Sequence, residues 1–271
     1  MNLNISSKTK LIDGHSIPVL GFGTWQIKGK NAEDAVHEAL ISGYRHIDTA
    51  AIYGNEKEVG RAIRKSGIDR KDIFLATKLW NDDHEDPKSA LAESLGRLGM
   101  DYVDLYLMHW PVKERIESWK IMQSMKKEGK CVSIGVSNFT ITHLRELIDK
   151  TKIIPAINQV EFNPFLYQKD LLEFCHSRSI ATEAYSPLAH GAVLKDPELA
   201  ALAGKCRKSP AQMLIRWSLQ KGLIALPKSA NSQRIKENSE VFDFSISEAD
   251  MKIMDGFNRN LRTCWDPTEF P

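Results

Sequence analysis

Four polar residues that together could transfer a proton lie at or just after the ends of apolar runs: Asp48, Tyr53, Lys78 and His109. Each has an ordinary explanation when taken alone. An aspartate often caps a turn, a tyrosine is often half-buried, and a lone histidine is often a hydrogen-bonded core residue. Lys78 is the least ordinary of the four, because a lysine in the apolar run IFLATKLW is costly to bury unless it has a partner or reaches solvent.

Taken together, the four side chains suit the reduction of a carbonyl group, which needs a hydride for carbon and a proton for oxygen. Tyrosine carries a donor, but its unperturbed pKa of about 10 is too high for easy transfer near neutral pH. A neighbouring ammonium lowers that pKa, and a carboxylate paired with the ammonium keeps it charged and in place. A histidine across the pocket can orient the carbonyl oxygen. Asp48, Lys78, Tyr53 and His109 therefore form a candidate proton-donating unit.

A series of short strands would have to position these residues. Seven β-type runs read as continuously apolar rather than alternating, which is typical of strands buried on both faces of a parallel sheet. From the first run to the sixth, strands begin every 24 to 30 residues, with amphipathic stretches ending in Gly between them. The runs are YRHID (44–48), IFLATKL (73–79), VDLYLMH (103–109), VSIGVS (132–137), AINQVEF (156–162), IATEAYS (180–186) and LIALP (223–227).

Repeated βα units of this kind predict a (β/α)8 TIM barrel, with the reactive side chains at the carboxyl ends of its strands. The eighth strand is predicted near residues 193–195. An open doubly wound sheet is the alternative, and it is disfavoured because no GxGxxG follows any strand; GFG at 21–23 lacks the third glycine and precedes the first predicted strand. An N-terminal β-hairpin over 8–18, turning at a type I′ pair Asp13-Gly14, is expected to close the barrel bottom. Residues 1–271 are expected to form a single domain.

Composition narrows the choice of partners. The chain has 37 Lys and Arg against 35 Asp and Glu, a formal charge of +2, so nothing suggests nucleic acid or an anionic membrane. There is no apolar run long enough to span a bilayer, and the N-terminal residues MNLNISSKTK lack the apolar stretch of a signal peptide. The four cysteines form no CxxC pair and the histidines show no HxxxH or HxH spacing, so no metal site is expected. We expect a cytoplasmic protein, and a monomer because no heptad is left over.

The longer motifs carry a resemblance to a known family. They read GFGTW (21–25), GYRHIDTAAIYGNEKEVG (43–60), ATKLW (76–80), DLYLMHWP (104–111), GVSNF (135–139), INQVEFNP (157–164), AYSPLA (184–189) and LPKSANSQRIKEN (226–238). With these motifs the sequence resembles the aldo-keto reductases from the hairpin almost to the C-terminus, and specifically their compact members, such as bacterial diketogluconate and glyoxal reductases. The resemblance implies that Asp48, Tyr53, Lys78 and His109 are the catalytic tetrad, with Tyr53 as proton donor and His109 positioning the substrate.

The same resemblance implies an NADPH site along the strand ends. Ser137, Asn138 and Gln159 match positions that hydrogen-bond the nicotinamide carboxamide, and Tyr185 matches the residue that stacks on the nicotinamide ring. Stacking would present one face of the ring to the substrate. Further matches are Thr24 and Asp48 near the ribose, Ser186 and Leu188 along the pyrophosphate, and Glu237 and Asn238 near the adenine.

A local basic segment, PKSANSQRIKEN, indicates which nicotinamide cofactor is used. Lys228, Ser229 and Arg234 flank a predicted helix start at Asn231 or Ser232, and two cations with a hydroxyl at a helix N-terminus suit a phosphate monoester. A solvated basic turn is the ordinary alternative. The resemblance identifies the segment with the pocket for the adenosine 2′-phosphate, which favours NADP(H) over NAD(H).

The substrate side is predicted to be apolar. Trp25, Trp80 and Trp110 lie directly after or near the strand ends that supply the tetrad, and the resemblance implies that they wall the substrate pocket together with His109. Only nine residues separate His109 from Trp119, and the tail after 259 is short, which predicts an open pocket for small aldehydes, dicarbonyls and keto-sugars. Two other functions remain open: a Schiff-base lyase that uses Lys78, and a cofactor-binding protein without catalysis.

Overall fold

Eight parallel strands form a nearly closed barrel in the computed structural model, which describes residues 3–271. The predicted domain and the N-terminal segment also include residues 1 and 2, which lie outside the described residues. The strands are β3 (Phe22–Gly23), β4 (His46–Asp48), β5 (Phe74–Leu79), β6 (Val103–Met108), β7 (Cys131–Ser137), β8 (Ile157–Glu161), β9 (Ala181–Tyr185) and β10 (Ile224–Leu226). Each pairs with the next in parallel. A bridge between Leu20 and Ala225 brings the two ends of the sheet together, so the predicted TIM barrel is confirmed.

The position of one strand was predicted wrongly. Residues 193–195 do not form a strand; they lie in a turn ahead of a helix. The missing strand is β3 itself, which is only two residues long and lies in the segment that the sequence placed before the sheet. Its neighbour Gly21 shows why glycine is used here, since a Cβ at Gly21 would come within 2.5 Å of the His46 ring and of Leu226. The backbone can approach the barrel interior only without a side chain.

In the described part of the chain, ten α-helices surround the strands. They are α1 (Gly29–Ile41), α2 (Glu56–Lys65), α3 (Pro87–Leu98), α4 (Arg115–Lys127), α5 (Ile141–Thr151), α6 (Lys169–Ser177), α7 (Pro197–Cys206), α8 (Pro210–Gln220), α9 (Ser232–Ser239) and α10 (Glu248–Asp255). Their ends follow local chemistry: Asp86 caps α3 ahead of Pro87, and Ser209 with Gln212 forms a capping box on α8. Among residues 3–271, none of the helices is both long and apolar enough to cross a membrane.

An antiparallel hairpin closes the bottom of the barrel, as predicted. Its strands β1 (Lys8–Lys10) and β2 (Ser16–Pro18) place Leu11 and Ile17 in one buried cluster with residues of β5, β6, β8 and β10. The turn differs from the predicted type I′ pair. Gly14 has φ 91 while Asp13 does not have a positive φ, and the Gly14 amide donates to the carbonyl of Leu11. This is a three-residue loop with Gly14 in the left-handed position, which needs only one residue of positive φ.

Candidate active site

The four candidate catalytic residues come together at the carboxyl end of neighbouring strands. Asp48 is the last residue of β4, and Lys78 lies near the end of β5. His109 directly follows β6, where its amide donates to the Leu79 carbonyl at 3.1 Å. Tyr53 ends a single turn of 3₁₀ helix over Ala51–Tyr53 that follows β4. Parallel strands therefore bring residues up to 61 positions apart to one edge of the barrel, as the sequence predicts.

Lys78 is completely buried and fully hydrogen-bonded. Its Nζ donates to both carboxylate oxygens of Asp48, at 2.8 and 2.7 Å, and to the carbonyl of Thr49 at 2.8 Å. These three acceptors use all the protons of an ammonium. Burial works against the charge, but the pKa of Lys78 is raised because the negative charge of Asp48 and the hydrogen bonds to it outweigh that desolvation. Lys78 therefore remains a fixed positive charge.

Tyr53 faces this charge. Lys78 Nζ lies 5.0 Å from the centroid of the Tyr53 ring, which is half-buried and lines the cavity described below. Burial raises the pKa of Tyr53 to about 12, and the positive charge of Lys78 opposes that increase. The phenol thus keeps its proton at neutral pH, while the lysine reduces the cost of the phenolate that proton transfer would leave.

His109 is a neutral imidazole that faces the Tyr53 ring edge-on. The ring centroids are 5.7 Å apart, and the pKa of His109 is well below its usual range because of burial and the charge of Lys78. Its Nδ1 is buried and, among the described residues, has no hydrogen-bond partner. An orphaned lone pair costs less than an orphaned N–H, so we assign the proton to Nε2, the nitrogen left to the cavity. That nitrogen can donate to a carbonyl oxygen.

A long cavity of about 1140 Å³ connects the tetrad with the basic segment at α9. It is lined by all the predicted cofactor residues except Thr24: Asp48, Ser137, Asn138, Gln159, Tyr185, Ser186, Leu188, Lys228, Ser229, Arg234, Glu237 and Asn238. Thr24 is fully buried, and its hydroxyl donates to the Asp48 carbonyl at 3.0 Å. It therefore supports the backbone of β4 from behind the cavity wall.

At the tetrad end, hydrogen bonds cross-link the ends of four neighbouring strands, β6 to β9. The Tyr185 hydroxyl donates to Oδ1 of Asn138 at 2.8 Å, and the Ser137 hydroxyl donates to the Gln159 carbonyl at 2.9 Å. Asn138 Nδ2 donates to the His109 carbonyl at 3.0 Å. Asn138 (φ 64) and Ser186 (φ 47) both adopt left-handed backbone conformations. Non-glycine residues in that region are uncommon, and they concentrate at sites where the surrounding structure fixes the backbone for function.

At the other end, the predicted helix start is confirmed. Asn231 caps α9 by accepting the amide of Arg234 at 3.0 Å, and the Ser229 hydroxyl accepts the amide of Asn231 at 3.1 Å. Within residues 3–271, neither Lys228 nor Arg234 has a carboxylate at ion-pair distance, and burial alone lowers the pKa of Lys228. Two cations without counter-charges beside a helix N-terminus form a place that favours an anion.

Aromatic side chains wall the cavity around the tetrad. Trp80 contacts His109 edge-on with ring centroids 5.2 Å apart, Trp110 is buried, and Trp25 is exposed at the rim. The sequence could not place Trp265. In the structure its ring joins this wall, with its centroid 5.5 Å from that of Trp110 and 6.3 Å from that of Trp80. Ile52 also lines the cavity and was missed, since a lone isoleucine before Tyr53 carries no signal.

Glu161 explains how the C-terminal tail reaches the site. This carboxylate at the end of β8 is completely buried and accepts hydrogen bonds from the Thr263 amide at 2.8 Å, the Thr263 hydroxyl and the Cys264 amide at 3.2 Å. The sequence analysis did not single out Glu161. A glutamate in the buried run AINQVEF was the available signal, because a buried carboxylate needs partners.

Two further polar residues inside the barrel were also not predicted from the sequence. His46 on β4 and Glu183 on β9 are both completely buried below the tetrad. Each occurs within an apolar run, where a charged or polar residue at an inward position is the signal.

A family model described as the Aldo/keto reductase family matches residues 19–259. The chain is 44% identical to a methylglyoxal reductase of Escherichia coli strain K12 over 96% of this chain and 97% of that protein. It is 42% identical to a glyoxal reductase of Bacillus subtilis over 99% of both.

A similar solved structure is an aldo-keto reductase of Bombyx mori in complex with NADP, which is 37% identical, superposes with a TM-score of 0.93 and matches 99% of both chains. These matches cover nearly the whole chain, and the barrel with its N-terminal hairpin is consistent with them. The chain belongs to the aldo/keto reductase family.

Proposed function

We propose that this chain reduces aldehydes and ketones to alcohols with NADPH, with Tyr53 as the proton donor. The proposal is carried by one cavity that has the Asp48–Lys78–Tyr53–His109 cluster at one end and two cations at the other. Within residues 3–271, these two cations have no carboxylate at ion-pair distance. Small aldehydes, dicarbonyls and keto-sugars are the proposed substrates. The similarity to proteins named methylglyoxal and glyoxal reductases supports this class.

The residues along the cavity fit a dinucleotide with an extra phosphate. Lys228, Ser229 and Arg234 would hold the 2′-phosphate, since two unpaired cations and the start of α9 favour a dianion. Glu237 and Asn238 would lie near the adenine, and Ser186 and Leu188 along the pyrophosphate. The complex of the Bombyx mori relative with NADP supports the same choice of cofactor.

The nicotinamide end also offers suitable groups. Within residues 3–271 no protein group donates to Oε1 of Gln159, which lines the cavity and is free to accept a carboxamide N–H. Ser137 and Asn138 would contact the same carboxamide, the Tyr185 ring would stack on the nicotinamide, and Asp48 with Thr24 behind it would lie near the ribose. When bound, the reduced cofactor supplies a hydride to the carbonyl carbon.

The protein's own part in the reaction is to hold and deliver a proton. His109 Nε2 donates a hydrogen bond to the carbonyl oxygen and orients it toward Tyr53. The Tyr53 hydroxyl then gives its proton to that oxygen, and Lys78, held by Asp48, stabilises the phenolate that remains. Tyr53 regains a proton from solvent. Trp25, Trp80 and Trp110, with Trp265, exclude water around the carbonyl.

The geometry disfavours the lyase alternative. A Schiff base needs a neutral lysine amine with room for a carbonyl carbon. Nζ of Lys78 is completely buried, donates to three acceptors and has a raised pKa, so it is neither neutral nor accessible.

The test gives the purified protein NADPH or, separately, NADH together with each of a panel of small aldehydes. Oxidation of the cofactor is measured as the loss of its absorbance. We expect NADPH to be oxidised, NADH to be much poorer and Tyr53→Phe to be inactive. Tyr102→Phe, which removes a hydroxyl outside the site, is the matched control and should stay active. Binding of NADPH without turnover of any aldehyde would favour the non-catalytic alternative, and no binding at all would refute the proposal.

We also propose that the chain works as a monomer in the cytoplasm. All four cysteines are free thiols, which is the state that a reducing compartment maintains. Sedimentation of the purified protein at several concentrations tests the oligomeric state, and a stable dimer would refute that part.

A further inference from the structure

Beneath the tetrad, the amide of Gln159 connects two carboxyl groups. Its Nε2 lies 2.9 Å from Oδ1 of Asp48 and 2.7 Å from Oε2 of Glu183. An amide nitrogen carries two protons, so it can donate one to each carboxyl. The pair of bonds fixes the plane of the amide and leaves its Oε1 toward the cavity. Glu183 is therefore a partner in orienting Gln159.

On its other side, Glu183 faces His46 at a distance longer than that of an ordinary hydrogen bond. Oε1 of Glu183 is 3.5 Å from Nε2 of His46, and both side chains are completely buried. Within the described residues, neither Oε1 nor either nitrogen of His46 has a hydrogen-bond partner. The His46 ring also lies beside the Phe74 ring, with the ring centroids 5.0 Å apart, and beside the backbone of Gly21. Burying three polar atoms without partners costs free energy, and a proton placed between Glu183 and His46 would reduce that cost.

The charges around Glu183 determine where that proton resides. The titratable groups that face it are Asp48 and His46 on β4 and Lys78 on β5, while β8 contributes Gln159 and β10 contributes the apolar Ile224 in register. Burial and the charge of Lys78 lower the pKa of His46 to about 3, so the ring is neutral. Burial and the negative charge of Asp48 raise the pKa of Glu183 to about 8, against the effects of Gln159 and Lys78. The proton therefore belongs to the carboxyl.

We propose that Glu183 is a positioning residue that works as a neutral carboxylic acid, donating to His46, orienting the Gln159 amide toward the nicotinamide and leaving Asp48 as the single carboxylate beside Lys78. An ionised Glu183 would add a second negative charge to the group. That charge would offset the positive charge of Lys78, and the Tyr53 hydroxyl would become a weaker acid. Because the orientation of Gln159 matters only if a nicotinamide binds there, this role rests on the proposed function.

The first experiment reads the proton directly, without cofactor. Infrared spectra of the cofactor-free protein are compared from about pH 6 to about pH 10, where a buried acid of this kind should titrate. We expect a C=O stretching band of a protonated carboxyl at the lower pH that disappears near pH 8 and is absent from E183Q. If the protonated-carboxyl C=O region is the same in wild type and E183Q throughout this range, Glu183 is already ionised and the proposal is wrong.

The second experiment separates a role in charge from a role in packing. E183Q resembles the neutral acid, since its amide can donate to His46 and accept from Gln159, whereas E183L can do neither. We expect NADP⁺ to bind E183Q within about threefold of wild type and to bind E183L about tenfold more weakly, the effect of one lost hydrogen bond. Equal affinity of all three proteins would overturn the role in orienting Gln159.

The pH profile of turnover gives a readout that a packing defect would not change. In wild type, kcat should fall as the pH rises through about 8, because ionised Glu183 weakens the acidity of Tyr53. In E183Q this inflection should be lost, and the decline that remains should begin at higher pH. An unchanged inflection in E183Q would refute the proposal. If instead the protein does not turn over aldehydes at all, the proposed function fails, and the infrared band still decides the state of Glu183.

Discussion

Replacing Lys78 by methionine tests the ion pair on which the candidate site is built. The substitution keeps an unbranched side chain that is one atom shorter, and it removes an ammonium that is completely buried. That ammonium donates to Asp48 at 2.8 and 2.7 Å and to Thr49 at 2.8 Å. Asp48 would remain a buried carboxylate whose one remaining side-chain donor, among the residues that the structure describes, is the Gln159 amide. Breaking a buried pair in this way costs about 3 to 5 kcal/mol of unfolding free energy.

The expected shift follows from that cost. At about 2 to 4 °C per kcal/mol for a chain of this size, K78M should lower Tm by about 6 to 20 °C. Adding D48N should restore part of the loss, because an asparagine carries no charge and still accepts from Gln159. Lys88→Met is the matched control: Lys88 forms a 2.6 Å pair with Glu128 on the surface, and exposed pairs contribute about 0 to 1 kcal/mol.

Thermal and urea unfolding measure both effects, and the same proteins are assayed for turnover. We expect kcat of K78M to fall by about 10² to 10⁴, the usual contribution of a positioned proton donor. The reasoning is refuted if K78M unfolds within about 1 kcal/mol of wild type, or if the losses of K78M and D48N simply add in the double variant.

Three further predictions concern the ends of the cavity and the helix packing. Arg234→Gln should raise KM for NADPH by about 10- to 100-fold through the loss of a charge-assisted hydrogen bond, with KM for NADH within about twofold; equal effects on both cofactors in steady-state kinetics would contradict the phosphate site. Glu161→Ala should release the tail, raise KM for an aromatic aldehyde about tenfold with little change in kcat, and expose the tail to proteolysis; an unchanged KM would show that the tail does not shape the pocket. Gly60→Ala should destabilise the fold by at least about 1 to 3 kcal/mol in urea unfolding, because its Cβ would lie 1.9 Å from the Leu98 carbonyl oxygen. Gly96→Ala, with nothing within 4 Å in the last turn of α3, should stabilise the fold by up to about 1 kcal/mol, and the opposite order would refute this account of helix packing.

The barrel was predictable because its strands are buried on both faces. Runs such as IFLATKL and VDLYLMH are apolar without alternation and recur at a nearly constant spacing, so the parallel sheet is visible in the sequence. The strand β3 was not visible, because two residues cannot show a period, and its identity depends on pairing with β4 and on the nearby bridge between Leu20 and Ala225. Residues 193–195 have a suitable composition, but no neighbouring strand is left to pair with them.

Part of the candidate site was likewise predictable from the sequence, and part was not. The four residues Asp48, Tyr53, Lys78 and His109 lie at or after strand ends and match a specific family pattern. The sequence alone therefore predicted that they lie together. The place of Trp265 depends on Glu161, which lies 104 residues away in the chain, and nothing local to the tail predicts that contact. The Glu183–His46 pair likewise depends on which residues of β4 and β9 point inward at the same height of the barrel, and short strands leave that undetermined.

The central claim is that the chain transfers a hydride from NADPH to a carbonyl carbon, and isotope labelling tests it most directly. The purified protein is given a small aldehyde with NADPH deuterated at both positions of nicotinamide C4, and the alcohol is analysed by mass spectrometry and NMR. We expect one deuterium on the former carbonyl carbon of every product molecule, and none when unlabelled NADPH is used in D₂O. An alcohol without deuterium, or one whose label comes from the solvent, would contradict the account.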